Sequence, residues 1–498
     1  MGDEEWKRLN ITKGRTSYSQ ERIWLDEPIR STYTVKDENL YDYNYVKVYQ
    51  IEDGFLSINR FRQSIENVLK RNEIFQTELD YSLDEHGIEQ IIKKSNKLND
   101  SFEITKVDVF DQDKINEIIY SEQITKHFDL NKGEIFRCHL LRQSNKDKNR
   151  LIKNDFILLI FHHSAIDNYS RFLFLKQITS EYQNEKINSE ENENELRFID
   201  YSYYERQLDL TKCEEFWQEL FSDYSFKQRI NLPYDNKLIF ISSGSIYSFQ
   251  IDKSLTRQIF RYKKKQNINF FRLFLSTFYC YLFKITQDTD FSVLGVTPNR
   301  YKSQLTNIIG PFENFIVYRH NLDPHQSFNQ FIQTIDEFCT NIKENSFYPY
   351  QNLIAYARKF GSNQTPFSQV SLRVDIIDDQ WNLDPENNLL LNEINLTNHR
   401  EFKRETKLCP VDLTLNVKIN LEKQTIQFYF EYANKLFEEK TIDTFADRFK
   451  KILEHLFDIQ SNFDLDEEPI YKLSIILPYE ESLINDLKVN DRPELTYR

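Results

Sequence analysis

The segment FILLIF at residues 156–161 constrains the fold of this chain more than any other part of its sequence. It is apolar on both faces, which is typical of a strand in the middle of a sheet. A helix is predicted directly after it, over 169–182. The second half repeats this theme with a strand at 244–251, a helix at 270–284 and a strand at 291–296. Helices and strands alternate in both halves, so we predict an α/β fold with two lobes.

A charged, asparagine-rich stretch, NEKINSEENENE at 184–195, separates the two halves. It has no hydrophobic periodicity, which is typical of an exposed linker. The predicted domain boundaries are a polar leader at 1–15, an N-terminal lobe at 16–183, the linker at 184–195, a C-terminal lobe at 196–473 and a tail at 474–498.

Composition excludes several classes of function. Nine glycines among 498 residues argue against glycine-rich nucleotide-binding loops. The formal net charge of −14, without a basic stripe, disfavours nucleic acid as a partner, and the run Lys263–Lys265 is interpreted as a solvated helix face. The five cysteines form no CxxC pair, which predicts buried, reduced thiols. The acidic start is unlike a signal peptide, and no apolar window reaches membrane-spanning length, so a cytoplasmic protein without a membrane partner is expected.

The polar cluster FHHSAIDNYS at 161–170 directly follows the apolar strand. This places His163 at the end of a sheet, where a side chain is held rigidly and can face a cleft. An imidazole with a pKa near neutrality can take a proton from an attacking amine or hydroxyl. Asp167 could fix the loop by pairing with a cation. The alternative is that His162 and His163 merely cap a strand in a core loop. No metal site is predicted.

A series of further motifs accompanies this cluster in a definite order. SYSQERIWL at 17–25 resembles the pattern SxAQxRLWxL, and HHSAIDN at 162–168 is similar to HHxxxDG. The other matching segments are RNEIFQT at 71–77, FDLNKGEIFR at 128–137, IDYSYYE at 199–205, FWQEL at 216–220, LPYD at 232–235, TPNRYKSQLTNIIGPFEN at 297–314, NSFYPYQNL at 345–353 and VDLTL at 411–415. Together they resemble the condensation domains of nonribosomal peptide synthetases, in the chloramphenicol acetyltransferase-like superfamily, over residues 17–458.

The resemblance implies two chloramphenicol-acetyltransferase-like lobes in a V-shaped pseudo-dimer with a central tunnel. It implies that His163 is catalytic and that Asp167 is structural and pairs with Arg300 of the second lobe. The supporting residues of the motif are His162, Asp167, Asn168 and Ser170. The implied reaction joins an acyl or aminoacyl group, held as a phosphopantetheine thioester on a carrier protein, to an amine or hydroxyl. The expected partners are acyl or peptidyl carrier proteins and an adenylation domain. The chain itself is expected to bind no cofactor and to be a monomer.

Three positions depart from the family pattern. Asn168 replaces a glycine, Asn345 replaces a histidine and Gln304 stands where an acidic residue is usual. If the glycine serves a left-handed turn, asparagine preserves it, and this is the interpretation we favour. If the glycine leaves space beside the substrate, the side chain of Asn168 narrows the tunnel. These departures leave two alternatives open: a catalytically weakened module that docks carrier proteins, and a stand-alone acyltransferase that uses acyl-CoA. The tail at 474–498 resembles a condensation–adenylation linker.

Overall fold

Two large β-sheets, each packed against helices, dominate the fold. The structure is a computed structural model that describes residues 5–32, 43–84, 86–93, 101–107, 112–143, 148–184, 195–226, 229–236, 242–361, 366–367, 369–394, 407–409 and 411–490. The strands are β1 (Lys13–Arg15), β2 (Asn44–Asp53), β3 (Phe55–Ser57), β4 (Thr77–Ser82), β5 (Gly87–Ile92), β6 (Phe102–Lys106), β7 (Phe136–Arg142), β8 (Arg150–Ile152), β9 (Phe156–His162), β10 (Ser242–Gln250), β11 (Asp290–Thr297), β12 (Asn314–Asn321), β13 (Val370–Ile377), β14 (Gln380–Asp384), β15 (Leu389–Glu393), β16 (Lys407–Cys409), β17 (Leu413–Asn420) and β18 (Thr425–Ala433). The helices are α1 (Tyr18–Thr32), α2 (Ile58–Arg71), α3 (Gln112–Ile124), α4 (Asn168–Tyr182), α5 (Phe198–Glu205), α6 (Thr211–Leu220), α7 (Lys253–Gln266), α8 (Phe270–Thr286), α9 (Phe328–Glu344), α10 (Tyr350–Lys359), α11 (Glu439–Phe457) and α12 (Pro478–Asn490).

The first sheet has six strands in the order β14-β15-β2-β9-β7-β6. The predicted apolar strand is β9, which lies between the antiparallel strands β2 and β7. All seven residues of β9 are buried. Its alternate side chains pack against α2 and α4 on one face and against α3 on the other. Because helices cover both faces, a continuous apolar run is the pattern that this position requires.

The second sheet has seven strands in the order β12-β11-β13-β17-β18-β10-β16. Only the pairs β11–β13 and β13–β17 are parallel among its described strands. The face of β17 that packs into the apolar core of this lobe is formed by Leu413, Leu415, Val417 and Ile419. Strand side chains alternate between faces, so the polar residues Thr414, Asn416 and Lys418 lie on the opposite face. The alternating pattern thus gives the second lobe one core face and one polar face.

Strands β14 and β15 belong to the first sheet, although their sequence lies within the predicted C-terminal lobe at 196–473. β15 pairs with β2 in antiparallel register, and β14 pairs with β15. Trp381, Leu383 and Leu391 are buried there, and Trp381 Nε1 donates to Thr179 Oγ1 at 2.9 Å. The prediction of a continuous C-terminal lobe is therefore wrong over this segment. The β14–β15 hairpin joins the first sheet because it covers part of the otherwise open edge of β2. The apolar face of the hairpin is buried there.

The predicted leader and tail also contact the folded lobes. Trp6 stacks on Tyr204 at a ring-centroid distance of 4.9 Å, and β1 pairs with β5, so residues 5–15 are not a separate polar leader. The aromatic residue Trp6 explains this difference, since burying its ring is favourable. The tail contains α12, and Glu480 of this helix pairs with Arg448 of α11 at 2.7 Å. Most of the predicted linker, residues 185–194, and the end of the tail, residues 491–498, lie outside the described residues.

The predicted burial of the cysteines is confirmed. All five carry free thiols and are buried. Burial raises the pKa of Cys213 to about 11, which keeps this thiol protonated near neutral pH. Each described helix lacks either the length or the apolar composition that a membrane crossing requires.

Candidate active site

The turn between β9 and α4 carries the predicted catalytic histidine. The backbone N–H of His163 donates to the carbonyl of Tyr43 at 3.0 Å, and its ring lies 4.9 Å from the ring of Tyr45. Ala165 and Ile166 are fully buried and anchor the turn in the core. His163 itself is only half-buried. The structure thus holds this imidazole on a fixed backbone and leaves part of its ring accessible.

His162 points to the opposite side and is 1% exposed. Its Nδ1 accepts from the backbone N–H of Ser164 at 3.1 Å and contacts Ser164 Oγ at 2.8 Å. In the neutral imidazole, Nε2 therefore carries the hydrogen, and it faces the carboxylate of Glu27 at 3.6 Å. His162 fills the structural role that the alternative interpretation assigns to both histidines.

Asp167 caps the N-terminus of α4. Its Oδ1 accepts from the backbone N–H of Ser170 at 2.6 Å, and its Oδ2 accepts from that of Phe312 at 2.9 Å. Arg300 Nη2 lies 3.4 Å from the same Oδ1 and donates to Ser170 Oγ at 2.7 Å. The side chains of Asp167 and Arg300 are 2% and 4% exposed. The structure brings together the two residues that the resemblance pairs, and both are buried.

Burial disfavours the charged form of both groups, so it shifts their pKa values in opposite directions. It raises the pKa of Asp167 and lowers the pKa of Arg300, while the attraction between the two groups opposes both changes. Asp167 also accepts the backbone N–H groups described above, which favours its carboxylate form. The attraction between the two charges and these hydrogen bonds offset part of the cost of desolvation, which remains the largest influence on both pKa values.

Ser170 connects this pair to the segment before β12. Its Oγ donates to the carbonyl of Gly310 at 2.7 Å and accepts from the N–H of the same residue at 3.0 Å. A Cβ atom at Gly310 would lie 1.9 Å from the ring of Phe198, so only glycine allows this close approach. The hydroxyl of Ser19 donates to the carbonyl of Pro311, which brings the start of α1 against the same segment.

Asn168 does not adopt the left-handed conformation that we favoured from the sequence. It is the first residue of α4, directly after the N-cap, and has a helical backbone. Its Oδ1 accepts from the hydroxyl of Tyr45 at 3.0 Å, and its Nδ2 lies 3.5 Å from Asp375 Oδ1. The left-handed interpretation is therefore wrong, because the backbone at this position is compatible with any ordinary side chain. The amide lies between Tyr45 of β2 and Asp375 of β13, and the narrowing of the tunnel stays a prediction.

We expect Asn168→Val to fold and to lower the free energy of unfolding by only about 1–2 kcal/mol. This estimate rests on the loss of the contacts that the amide makes with Tyr45 and Asp375, because valine and asparagine have similar helix propensities. Urea denaturation measures the change. Asn267 provides the matched control, since its φ of 53° is left-handed and valine there must be strained. If Asn168→Val does not fold while Asn267→Val does, the helical assignment is refuted.

Glu313 is a site residue that the motif analysis passed over. Its Oε1 accepts from the backbone N–H of Asn168 at 3.2 Å. Burial, together with the charge of Asp167, raises the pKa of Glu313 to about 7, and Arg373 opposes this change. The sequence did contain a signal, because an acidic residue within the apolar run IIGPFENFIV is unusual unless it has a partner or a function.

The other two departures from the family pattern lie in structural positions. Asn345 ends α9, and its backbone carbonyl accepts from Trp217 Nε1 at 3.1 Å. The side-chain amide of Gln304 makes two hydrogen bonds with the backbone of Trp6. Its Oε1 accepts from the N–H at 3.2 Å, and its Nε2 donates to the carbonyl at 2.9 Å. The side-chain contacts explain Gln304 in structural terms, whereas the contact of Asn345 with Trp217 uses only its backbone.

Side chains that could hold a metal come together in one place among the described residues. Ligand atoms of Glu103, Glu122 and His139 lie within 4.8 Å of one another. However, His139 Nδ1 already contacts Glu122 at 2.6 Å, and Arg137 Nε donates to Glu122 at 3.3 Å. The guanidinium supplies the positive charge that a metal ion would bring, so we interpret this cluster as an ion-pair network.

Comparison with known proteins identifies the family. The model of the condensation domain matches residues 18–473. The chain belongs to the condensation domain family. Condensation domains catalyse amide-bond formation by acyl transfer. This condensation domain is 23% identical to bacitracin synthase 1 of Bacillus licheniformis over 466 residues, which is 90% of the chain but only 8% of that synthase.

Solved structures agree with this fold. The X-domain in the complex of the X-domain and OxyB from teicoplanin biosynthesis matches with a TM-score of 0.72 and 18% identity, over 96% of this chain and 99% of that one. A four-domain nonribosomal peptide synthetase bound to AMP and glycine matches with a TM-score of 0.73 and 18% identity, over 95% of this chain and 35% of that one. The expected chloramphenicol-acetyltransferase-like fold is confirmed.

Proposed function

We propose that this condensation domain transfers an acyl or aminoacyl group from a carrier-bound thioester to an amine, with His163 as the catalytic residue. The observation that carries the proposal is the position of His163 on the β9–α4 turn. Its ring is half-buried, while Asp167 and Ser170 of the same motif are fully engaged in structural contacts. His163 is therefore the motif residue whose acid–base group is best placed to meet a substrate.

In the proposed reaction, the amine nitrogen attacks the thioester carbonyl carbon while His163 accepts a proton from that nitrogen. The new N–C bond forms, the C–S bond breaks, and the sulfur leaves as a thiol after the proton is returned to it. A positioned general base contributes about 10²–10⁴-fold to such a rate. Holding the two reactants together supplies much of the remainder.

The proposed partners are carrier proteins that bring donor and acceptor as phosphopantetheine thioesters, together with an adenylation domain. The match to a four-domain synthetase supports an arrangement of this kind. The chain covers only 8% of bacitracin synthase 1, so these partners are inferred from the domain and not from the whole synthase. We further propose that the chain acts as a cytoplasmic monomer.

The test is incubation of the protein with an acyl-loaded carrier protein and a panel of amines, with the products identified by mass spectrometry. The same acyl group on free coenzyme A and hydroxyl analogues of the amines form the comparison arms. Amide formed from the carrier-bound donor supports the proposal, whereas preference for acyl-CoA indicates the stand-alone acyltransferase. Carrier binding without any product, in all arms, would indicate the docking module.

A further inference from the structure

The carboxylates of Glu313 and Asp375 approach Asn168 from the second lobe. Glu313 directly precedes β12 and accepts from the backbone N–H of Asn168. Asp375, on β13, lies 3.5 Å from the side-chain amide of the same residue. Two acidic groups therefore converge on the first residue of α4, five positions after His163.

Tyr45 connects these carboxylates to His163. Its hydroxyl donates to Asn168 Oδ1 at 3.0 Å, and its ring lies 4.9 Å from the ring of His163. Burial raises the pKa of the Tyr45 hydroxyl, the charge of Arg171 opposes this rise, and the charges of Glu313 and Asp375 add to it. The tyrosine thus remains a neutral hydrogen-bond donor, and the carboxylates form an anionic side to the histidine site.

We propose that Glu313 binds the acceptor as a primary ammonium ion and takes a proton from it before the attack. This inference rests on the proposed acyl-transfer function and deepens it, because it assigns cationic amines as the preferred acceptor class. Asp375 contributes negative charge and holds the amide of Asn168. Glu313 contacts the amine before it attacks the thioester, and His163 accepts a proton from the amine during the attack.

The protonation state of the acceptor gives such a group a role. A free α-amino group has a pKa of about 7.7–8.0, so near neutral pH it is mostly protonated and cannot attack a carbonyl carbon. Glu313 takes one proton and becomes a neutral acid, and the resulting amine forms the N–C bond while His163 accepts its second proton. That proton passes to the departing sulfur, and Glu313 later releases its own proton to water. The overall reaction converts ammonium and thioester to amide, thiol and one proton.

The charged groups around Glu313 allow its carboxylate to take up and release a proton near neutral pH. Asp167 and Asp375 oppose its ionisation, while Arg373 and the N–H of Asn168 favour it, and burial outweighs the favourable contacts. Arg22 of α1 lies nearby and donates to the backbone carbonyl of Glu313 at 3.5 Å. With a pKa of about 7, the carboxylate is ionised above neutral pH and protonated below it. Amine transfer should therefore rise with pH through about 7.

The test uses the isosteric substitution Glu313→Gln in the full chain. Glycinamide is the cationic acceptor and glycolamide is its hydroxyl analogue, each with the same acyl-loaded carrier protein. We expect kcat/KM for glycinamide at pH 7 to fall by about 10- to 100-fold, which corresponds to one hydrogen bond to a charged group. Transfer to glycolamide should remain almost unchanged. The loss should shrink at higher pH, where glycinamide is already neutral in solution.

Glu344→Gln, at the exposed end of α9, is the matched control and should behave as wild type. An equal loss for glycinamide and glycolamide at every pH would show a merely structural effect and overturn the inference. An unchanged rate and pH profile would overturn it as well.

A binding measurement separates this inference from the proposed function. If the wild-type chain transfers no acyl group to any acceptor, saturation-transfer NMR measures whether it and Glu313→Gln bind glycinamide and glycolamide. Glycinamide binding that is lost in Glu313→Gln, with glycolamide binding retained, supports the ammonium site while the transfer function fails. Equal binding of both ligands by both proteins refutes the site.

Discussion

His163→Ala is expected to abolish detectable amide formation while leaving the free energy of unfolding nearly unchanged. The ring is half-buried, and the hydrogen bond that fixes the turn comes from the backbone N–H, which alanine retains. The loss of a general base lowers the rate by about 10²–10⁴-fold. Single-turnover transfer from a loaded carrier protein, measured by mass spectrometry, gives the rate, and urea denaturation gives the stability.

The neighbouring histidine provides the control. His162 is 1% exposed and is held by Ser164 and Glu27, so His162→Ala should lower stability. The two substitutions remove the same side chain from adjacent positions and should separate catalysis from folding. If His163→Ala keeps most of its turnover, neither the general-base role nor the assignment of the catalytic centre stands.

Local patterns were sufficient to predict the elements that carry the site. The apolar run of β9 and the helix α4 lie within a residue of their predicted ends, because burial on both faces and helical periodicity are properties of the local sequence. The pairing of Asp167 with Arg300 was implied by the resemblance to condensation domains, and Arg300 does lie beside Asp167. Only the two local elements, β9 and α4, needed no knowledge of tertiary contacts.

Features that depend on distant partners could not be predicted in this way. Nothing in the residues of the segment that forms β14 and β15 shows that it pairs with β2. The glycine of the family motif suggested a left-handed turn at Asn168, whereas the backbone there is helical. The role of Glu313 depends on residues more than a hundred positions away, such as Asn168.

Asp167→Ala is expected to cause the largest loss of stability among the substitutions of the active-site motif, about 3–5 kcal/mol. It leaves the guanidinium of Arg300 buried without its counter-charge, and it leaves the N–H of Phe312 without an acceptor. Part of the loss comes from the N-cap of α4, which is worth about 0.5–2 kcal/mol. Urea denaturation of the single variant measures only the sum of these contributions.

A double-mutant cycle with Arg300→Ala isolates the ion pair from the cap. The cap and the Phe312 contact are lost in Asp167→Ala whether or not Arg300 is present, so they cancel, and the coupling that remains should be about 1–3 kcal/mol. The surface pair Lys451–Glu454, 3.2 Å apart and partly exposed, is the matched control and should couple by less than about 1 kcal/mol. Equal coupling in the two pairs would mean that burial adds nothing to the interaction of Asp167 with Arg300. Coupling confined to the buried pair would mean that the turn bearing His163 is held by a charge from the second lobe, so that weakening the contact between lobes also disturbs the position of His163.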